Sequence, residues 1–328
     1  MYHQEYQKVF TELISKGVYK AEELFDYNSS KIAILFDRFF YFCHINLENH
    51  CQQYDIQPAR FIFYNNLDVN AAALSNMGYN LIEVNSGLIL KMYSYFYDNN
   101  KAFQKDEYLK VNYSPLFPLD APPDFIMYQV TPQFTYYHEL AHLIQFAPLI
   151  KKTFKENYRS MDGSFDIMDH LLEFDADLHA AQLLYFHIEQ YWKKLSESKR
   201  TADSLSKYIA LYAASIFVYF TLLEDRAMPL YFEAESHPHP LIRITYILDI
   251  IVGVAQENFK ETQLDAKLIL REAFNIVSLT NQANAEPNSV EMYAARYQTS
   301  NHEITDYVNK LIAESDKHPF LVKNRPEK

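Results

Sequence analysis

The sequence predicts an α+β protein that is mostly α-helical and carries a small sheet. Glycine is scarce, at 5 of 328 residues, whereas the turns and phosphate loops of propellers, Rossmann-type folds and glycine-rich sandwiches use glycine freely. Two short strand-like runs lie between residues 60 and 85, and long helical patterns fill most of the chain after them. A small sheet among many helices is typical of an α+β fold.

The first third of the chain predicts helices followed by short strands. Residues 2–28 predict two amphipathic helices, of which the first ends at Gly17. Residues 31–46 are so uniformly apolar and aromatic that periodicity does not distinguish a helix from a strand. Strands are predicted at residues 61–64 and 80–84.

The rest of the chain is predominantly helical. A helix is expected from residue 88 to about residue 97, and the prolines between residues 113 and 124 predict an extended loop. Further helices are predicted at residues 132–147, 166–195, 203–224, 240–256, 262–278 and 302–315, with a polar break at 281–288. We therefore divide the chain into an N-terminal helical segment (1–59), a core (60–256) and a C-terminal helical extension (257–328).

Charge and cysteine content restrict the partners and the compartment. The 30 basic and 42 acidic residues give a net charge of −12, so no nucleic-acid partner is expected. Two cysteines, Cys43 and Cys51, are too few to staple a chain of this length, and the N-terminus has no signal-like pattern. The uncharged residues 208–223 would span roughly 24 Å as a helix, short of a ~30 Å hydrocarbon core. We expect a cytoplasmic protein without membrane insertion.

One segment carries a pattern that is typical of metal chemistry. Thr131 is a candidate N-cap and Pro132 suits the first helical position, so a helix should begin there. His138 and His142 are four residues apart and therefore share one helix face, from which both imidazoles can reach one metal ion. Glu139 lies beside them and can take a proton from an attacking water. The pattern predicts a catalytic zinc site.

A catalytic zinc ion has three protein ligands and one open position, so a third ligand is required. Glu173 is the favoured candidate, and Asp177 lies four residues later on the same helical face. Asp177 can accept a hydrogen bond from a ligand histidine and fix its tautomer. Three neighbours compete with Glu173 for the ligand role, namely Asp169, His170 and Asp175, and His170 is the most serious rival.

Four motifs in order resemble one group of enzymes. His-Glu-x-x-His followed by Glu-x-x-Ala-Asp resembles the pattern of glutamate zincins. Residues 236–244 resemble the His-Pro-(four residues)-Arg-Ile signature of HtpX and CAAX-prenyl-protease-like metallopeptidases. Asn70-Ala71 and Gly87-Leu88 are similar to the strand and the strand-to-helix junction that precede the metal helix in those enzymes. The likeness covers residues 60–250, and the chain also resembles soluble phage-exclusion (Lit-like) peptidases.

The resemblance implies a zinc endopeptidase core. His138, His142 and Glu173 would be the ligands and Glu139 the base. The strands within residues 70–84 would lie at the sheet edge, where a substrate backbone pairs by β-augmentation. The chain departs from those families in two ways. It has no convincing membrane-spanning segment, and it has a long proline-containing stretch between the glycine junction and the metal helix.

The oxyanion formed during hydrolysis needs a further donor. His237 and Arg243 are the best candidates, and His239 replaces His237 if the register of the motif shifts by two residues. The alternative for this His-Pro-His-Pro segment is a helix-start turn with Pro240 at the first helical position. The tyrosines at residues 136–137 are also possible donors, although packing is the safer assignment for them.

The sequence predicts a soluble zinc-dependent metallopeptidase that acts on a protein or peptide substrate. One alternative is a non-catalytic helical interaction or regulatory protein that keeps a zincin scaffold, since 16% of the residues are aromatic and aromatic residues also suit partner surfaces. An intact Glu139 argues against it, because a structural site needs no base. A second alternative is a zinc hydrolase of a non-peptide amide or ester. The oligomeric state stays open.

Overall fold

A computed structural model describes residues 2–98, 102–118, 121–146, 165–223, 229–260, 263–285 and 289–322. Within these ranges the protein is mostly helical and contains a three-stranded mixed sheet, which confirms the predicted α+β composition. The strands are β1 (Ala59–Tyr64), β2 (Ala71–Asn76) and β3 (Tyr79–Asn85). The helices are α1 (His3–Ser15), α2 (Ala33–Tyr54), α3 (Ser86–Tyr93), α4 (Ala102–Lys105), α5 (Glu107–Tyr113), α6 (Pro123–Gln145), α7 (Ile167–Lys193), α8 (Ala202–Leu223), α9 (Pro240–Asn258), α10 (Ala266–Asn284) and α11 (Val290–Ser315).

The sheet has the order β1-β3-β2, so β2 is an edge strand. β1 runs parallel to β3, whereas β2 and β3 form an antiparallel hairpin. The hairpin turns at Met77 and Gly78, which both have positive φ angles. Such angles are those of a two-residue type I′ turn, whose twist matches that of the flanking strands. β2 therefore has one edge that pairs with β3 and another that pairs with no strand in the described part of the chain.

The strand-to-helix junction after β3 depends on a close backbone approach. Gly87 is the second residue of α3, and its amide donates a hydrogen bond to Asn66 O. A Cβ at this position would lie 2.0 Å from the carbonyl oxygen of Leu67. Only glycine fits there without moving the backbone. The junction thus fixes the segment that precedes β2 against the start of α3.

Helices α6 and α7 form the centre of the protein. The two helices pack against each other, α8 packs against α6, and α9 packs against α7 and α8. α6 is buried along nearly its whole length and also contacts β2 and β3. Buried side chains from all three predicted segments of the chain join one hydrophobic core. This packing brings the chemical side chains of α6, α7 and α9 into one region.

Helix α8 is long and apolar enough to cross a membrane by length and composition alone. In the structure, 78% of its most apolar window is buried inside the protein. Its neighbours include α6, α7, α9 and α10. This burial is the environment expected of a core helix, as the sequence predicted for residues 208–223.

The N-terminal region differs from the prediction after α1. The second predicted amphipathic helix is wrong, because the segment forms two short 3₁₀ turns, Ala21–Glu23 and Tyr27–Ser29. Between these turns, Leu24 forms a bridge with Tyr64 of β1. A backbone that pairs with a strand cannot continue a helical hydrogen-bond ladder. The ambiguous residues 31–46 are helical and belong to α2.

The predicted start of the motif helix was also wrong. α6 begins at Pro123, so Pro132 lies in its interior and Thr131 is not an N-cap. Pro123 occupies the first turn, where a missing N–H costs nothing. The extended loop predicted over residues 113–124 is correspondingly shorter, since its start forms a 3₁₀ turn at Ser114–Leu116. Residues 119–120 of that loop lie outside the described ranges.

The C-terminal helices are longer than predicted. α10 continues to Asn284, so the first part of the predicted polar break is helical, and residues 286–288 lie outside the described ranges. α11 begins at Val290, well before the predicted start at residue 302, and it contains a kink at Ser300. The polar composition of both stretches suits solvent-exposed helix faces, which periodicity alone does not separate from loops.

Candidate metal centre

Two histidines of α6 point their outer ring nitrogens at each other. The Nε2 atoms of His138 and His142 are 3.0 Å apart, as the spacing of four residues predicts for one helix face. Both side chains are nearly buried, and the ring of Phe134 stacks against that of His138. Two imidazole nitrogens at this distance need a proton or a cation between them, since two lone pairs would repel.

Glu173 of α7 completes the cluster. Its Oε2 lies 3.4 Å from Nε2 of His138, and its Oε1 lies 3.3 Å from Nε2 of His142. Two ligands of a tetrahedral ion with bonds of ~2.1 Å are separated by roughly 3.4 Å. One ligand atom from each of these three residues lies within 4.8 Å of the others. The spacing thus fits three ligands of a single ion.

The buried carboxylate of Glu173 gives a second test of whether the residues fit a metal. Its Oε2 is buried and has no hydrogen bond within the described part of the chain. A buried oxygen of this kind is costly unless a charge or a donor satisfies it. Among the described residues, the carboxylates of Glu173 and Asp177 form ion pairs with one guanidinium, that of Arg243, and the Glu139 carboxylate is buried beside the two histidines. When the histidines are neutral and the acids ionised, two negative charges remain, which is the charge that a divalent cation neutralises.

Asp177 lies behind His138, as the sequence predicted. Its Oδ1 is 2.9 Å from Nδ1 of His138. Arg243 of α9 donates to both oxygens of Asp177, at 2.8 Å from Nε and 2.7 Å from Nη2, and the Tyr246 hydroxyl donates to Oδ2 at 2.6 Å. All of these side chains are buried. Arg243 and Tyr246 therefore hold both carboxylate oxygens of Asp177 in place. The carboxylate favours a proton on Nδ1 of His138, which leaves the lone pair of Nε2 for an ion.

The charges of the cluster shift its pKa values strongly. Burial lowers the pKa of His138, but the negative charges of Glu173 and Asp177 outweigh burial and raise this pKa to about 10. Burial raises the pKa of Glu173, but His237 and His138 together hold it well below its usual value. These shifts arise from the close approach of the cluster's own charged groups.

Glu139 faces the edge strand of the sheet. Its side chain is buried next to the two histidines, and the backbone of Ala73 in β2 lies within its reach. Burial raises the pKa of Glu139, and the positive charges of His138 and His142 oppose that shift. A carboxylate with a raised pKa is better matched to proton transfer near neutral pH than an ordinary one.

His237 and Arg243, the predicted oxyanion donors, both reach Glu173 but differ in their surroundings. His237 Nε2 lies 3.5 Å from Glu173 Oε1, and its side chain is 57% exposed. Arg243 is buried, with Nη2 at 3.4 Å from Glu173 Oε2 and with two further bonds to Asp177. The guanidinium thus holds the acids of the site, whereas His237 stands at its open side.

The rival residues have other partners. The two ring nitrogens of His170 lie at 2.8 Å from Tyr307 Oη and 2.9 Å from the carbonyl oxygen of Glu235. His239 is the N-cap of α9, and its Nδ1 accepts from the amide of Leu241. Pro240 is the first residue of α9, so the helix-start interpretation of this segment is confirmed.

Four more candidates lie outside the cluster in the structure. Asp175 is buried and accepts hydrogen bonds from Gln145 and from the amide of Val322. Tyr137 packs in the core with its hydroxyl 3.0 Å from Nε2 of His187. The ring of Tyr136 lies against those of Phe42, Phe61 and Tyr137, among core side chains. Asp169 is partly exposed, one helical turn before Glu173.

Gln145 belongs to the site, although the sequence analysis did not identify it. Its Oε1 lies 2.8 Å from Nδ1 of His142. The signal in the sequence was its position three residues after His142, which places a polar side chain on the same helix face. A glutamine at that spacing is common in helices, so the pattern alone does not distinguish it from a solvent-exposed residue.

A cavity of about 790 Å³ adjoins the cluster. Its lining includes His237 and Arg243, which both contact Glu173. Asn70, directly before β2, and Phe220, near the end of α8, also line it. The cavity thus borders two residues that contact the cluster, and its volume is large enough for several side chains of a ligand.

No family model, curated protein or solved structure matches this chain. The fold and the site together define the class in structural terms. It is a mostly helical α+β protein in which two histidines of one buried helix and a glutamate of the next form a cluster that could hold a metal ion.

Proposed function

We propose that this protein is a soluble zinc-dependent metallopeptidase with a zincin-type core. The observation that carries the proposal is the convergence of His138 Nε2, His142 Nε2 and the Glu173 carboxylate, with Glu139 on the same helix. The resemblance of these motifs to glutamate zincins supports it. We also propose a cytoplasmic location, for which the sparse cysteine content, two free and buried thiols in the described residues, is the reason.

Zinc is the metal that suits this donor set best. Two imidazole nitrogens and one carboxylate are the ligands of catalytic zinc in several peptidases, and three protein ligands leave the fourth position open. When bound, zinc polarises a carbonyl and lowers the pKa of a water to about 7. Residues of the chain supply proton transfer and stabilisation of the oxyanion.

Glu139 is the proton carrier of the proposed mechanism. Its carboxylate takes the proton of the attacking water and later gives it to the leaving amine. Burial raises the pKa of Glu139, which makes both transfers easier near neutral pH. His237 is the donor proposed for the oxyanion, because it stands 3.5 Å from Glu173 on the exposed side. Arg243 keeps Asp177 and Glu173 in place and contributes positive charge.

The edge strand β2 is the proposed binding surface for the substrate backbone. The amide of Asn85 bonds to the carbonyl of Asn70, so the alternate residues Ala73 and Ser75 direct their backbone groups away from β3. An extended peptide can pair with such groups by β-augmentation. The backbone of Ala73 also lies beside the Glu139 carboxylate, so a peptide bound along β2 would lie next to the proposed base.

Zinc content is the first test of the proposal. We expect about one zinc per chain in the wild type by elemental analysis, and little or none in Glu173→Ala. Asp169→Ala is the matched control, since it removes an acid one turn earlier on the same helix and should leave the zinc in place. A wild type that takes up no zinc from a zinc-containing buffer would contradict the proposal.

Peptide cleavage is the second test. Incubation of the zinc-loaded protein with a mixed peptide library, read by mass spectrometry, should yield new termini that a chelator abolishes. Zinc binding without cleavage of any peptide or protein would instead favour a hydrolase of a non-peptide amide or a non-catalytic scaffold.

A further inference from the structure

His142 is connected to the C-terminal segment of the chain by a line of buried contacts. Its Nδ1 lies 2.8 Å from Oε1 of Gln145. The side-chain amide of Gln145 donates to the carbonyl of Leu172, at 3.0 Å, and to Oδ2 of Asp175, at 2.9 Å. The same Oδ2 accepts the backbone amide of Val322 at 2.7 Å.

The chemistry of the partners determines which way each group points. Leu172 O and the Asp175 carboxylate are acceptors, so the amide group of Gln145 must face them and its oxygen must face the ring of His142. A carbonyl oxygen accepts, so Nδ1 of His142 must carry the proton. The other nitrogen, Nε2, is then left with its lone pair directed at Glu173 and His138.

Burial makes this arrangement rigid. Gln145 and Asp175 are almost completely buried, and so are Leu321 and Val322. A buried amide or carboxylate that loses a partner keeps its full desolvation cost, so each member of the line holds the next one in place. Among the described residues, Gln145 is the one hydrogen-bond partner of Nδ1 of His142.

We propose that Gln145, Asp175 and the backbone amide of Val322 are positioning groups that fix the tautomer of His142, so that metal affinity depends on the docked C-terminal segment, residues 320–322. The proposal rests on the proposed function, because it takes His142 as a metal ligand. It goes beyond that function by making a distant segment part of the metal site.

The two histidines are oriented by separate groups. Asp177, Arg243 and Tyr246 hold His138, whereas the line through Gln145 holds His142. Loss of the line through Gln145 therefore leaves the residues that hold His138 intact. We expect weakened zinc binding and not the disappearance of the cluster, with the 10–100-fold loss of affinity that is typical of such outer partners.

The experiment measures zinc affinity by competition with a chromophoric chelator on the full chain. Gln145→Leu should bind zinc about 10–100-fold more weakly than the wild type. Val322→Pro removes the N–H that holds Asp175 and should weaken binding severalfold. Val322→Ala keeps that N–H and shortens a side chain at the same place, so it should bind zinc like the wild type.

Two further readouts separate positioning from a loss of structure. Far-ultraviolet circular dichroism and thermal unfolding of the metal-free variants show whether the fold is kept, and Gln145→Met is a near-isosteric substitute if Gln145→Leu does not fold. The visible absorption of the cobalt-loaded protein reports ligand geometry, and it should change in the Gln145 variants but not in Val322→Ala.

The outcomes distinguish this proposal from the proposed function. Folded Gln145→Leu and Val322→Pro proteins that bind zinc as tightly as a zinc-binding wild type would overturn the positioning proposal alone. A wild type that binds no zinc would overturn both. Equal weakening in Val322→Pro and Val322→Ala would show that side-chain packing of residue 322, and not its amide, is responsible, and would overturn the role given to that amide.

Discussion

Arg243 binds Asp177 through two parallel hydrogen bonds, from Nε at 2.8 Å and from Nη2 at 2.7 Å, although the two residues lie 66 positions apart in the chain. Both side chains are buried, and the guanidinium also lies 4.1 Å above the ring of Phe220. The pair joins α9 to α7 directly behind His138. It therefore connects the packing of two helices to the orientation of a proposed metal ligand.

The first prediction concerns this ion pair. Arg243→Met leaves the carboxylate of Asp177 buried without its main counter-charge, so the free energy of unfolding should fall by about 3–5 kcal/mol. Chemical unfolding of the metal-free protein measures it. Arg271→Met, at an exposed position on α10, is the control and should change stability little.

A milder variant covers the case in which Arg243→Met does not fold. Tyr246→Phe removes only the hydroxyl that donates to Asp177 Oδ2 and should cost about 1–3 kcal/mol. If both variants unfold at the same denaturant concentration as the wild type, Asp177 does not depend on these partners.

The second prediction concerns Glu139. Glu139→Gln keeps the size of the side chain and removes its ability to take a proton, so the variant should retain zinc and lose at least about 100-fold in peptide hydrolysis. Zinc content and thermal unfolding, measured beside the cleavage rate, show that the site and the fold are intact. A variant that cleaves at the wild-type rate would exclude Glu139 as the base.

The sequence predicted the members of the candidate site better than it predicted their connections. His138, His142 and Glu173 could be found because helical spacing and ligand chemistry act over one or two turns of a helix. Asp177 followed from the same spacing. The line from Gln145 to Val322 could not be found, since a backbone amide has no sequence signature and the two residues meet only after folding.

The sequence predicted the fold well where local patterns determine it and failed where long-range contacts do. Helices α7, α8 and α9 have long apolar faces, and their bounds agree with the prediction within a few residues. The start of α6 was misplaced because Pro132 suits a first helical position, whereas Pro123 takes that position in the structure. The segment around Leu24 was misassigned because its pairing with β1 is a long-range contact that local propensity does not contain.

The third prediction concerns the pH dependence of stability. Burial, and after it the nearby charge of His50, lowers the pKa of His179 from 6.5 to about 4. The unfolded chain therefore binds a proton near pH 6.5, whereas the folded chain does so only near pH 4. Because His179 binds more protons in the unfolded state in this window, its contribution to the free energy of unfolding is fully present above pH 6.5 and is lost as the pH drops towards 4.

His179→Leu should remove this contribution. Between pH 7 and pH 4 the variant should lose less stability than the wild type, by on the order of 3 kcal/mol. Urea unfolding at several pH values measures the difference. His302→Leu is the control, since the side chain of His302 is 89% exposed and its removal should leave the profile unchanged. If the free energy of unfolding changes with pH equally in His179→Leu and in the wild type, His179 is not buried as a neutral group.

The last prediction compares two glycines. A Cβ on Gly87 would lie 2.0 Å from Leu67 O and 2.1 Å from Leu67 C, so Gly87→Ala must displace the backbone before β2. We expect a loss of at least about 1–3 kcal/mol in the free energy of unfolding, as for an overpacked core. Gly253 lies inside α9 and has nothing within 4 Å of a Cβ, so Gly253→Ala should stabilise the protein by up to ~1 kcal/mol. Urea unfolding of both variants measures these opposite changes in the free energy of unfolding. A Gly87→Ala protein as stable as Gly253→Ala would refute the close approach of the Gly87 and Leu67 backbones.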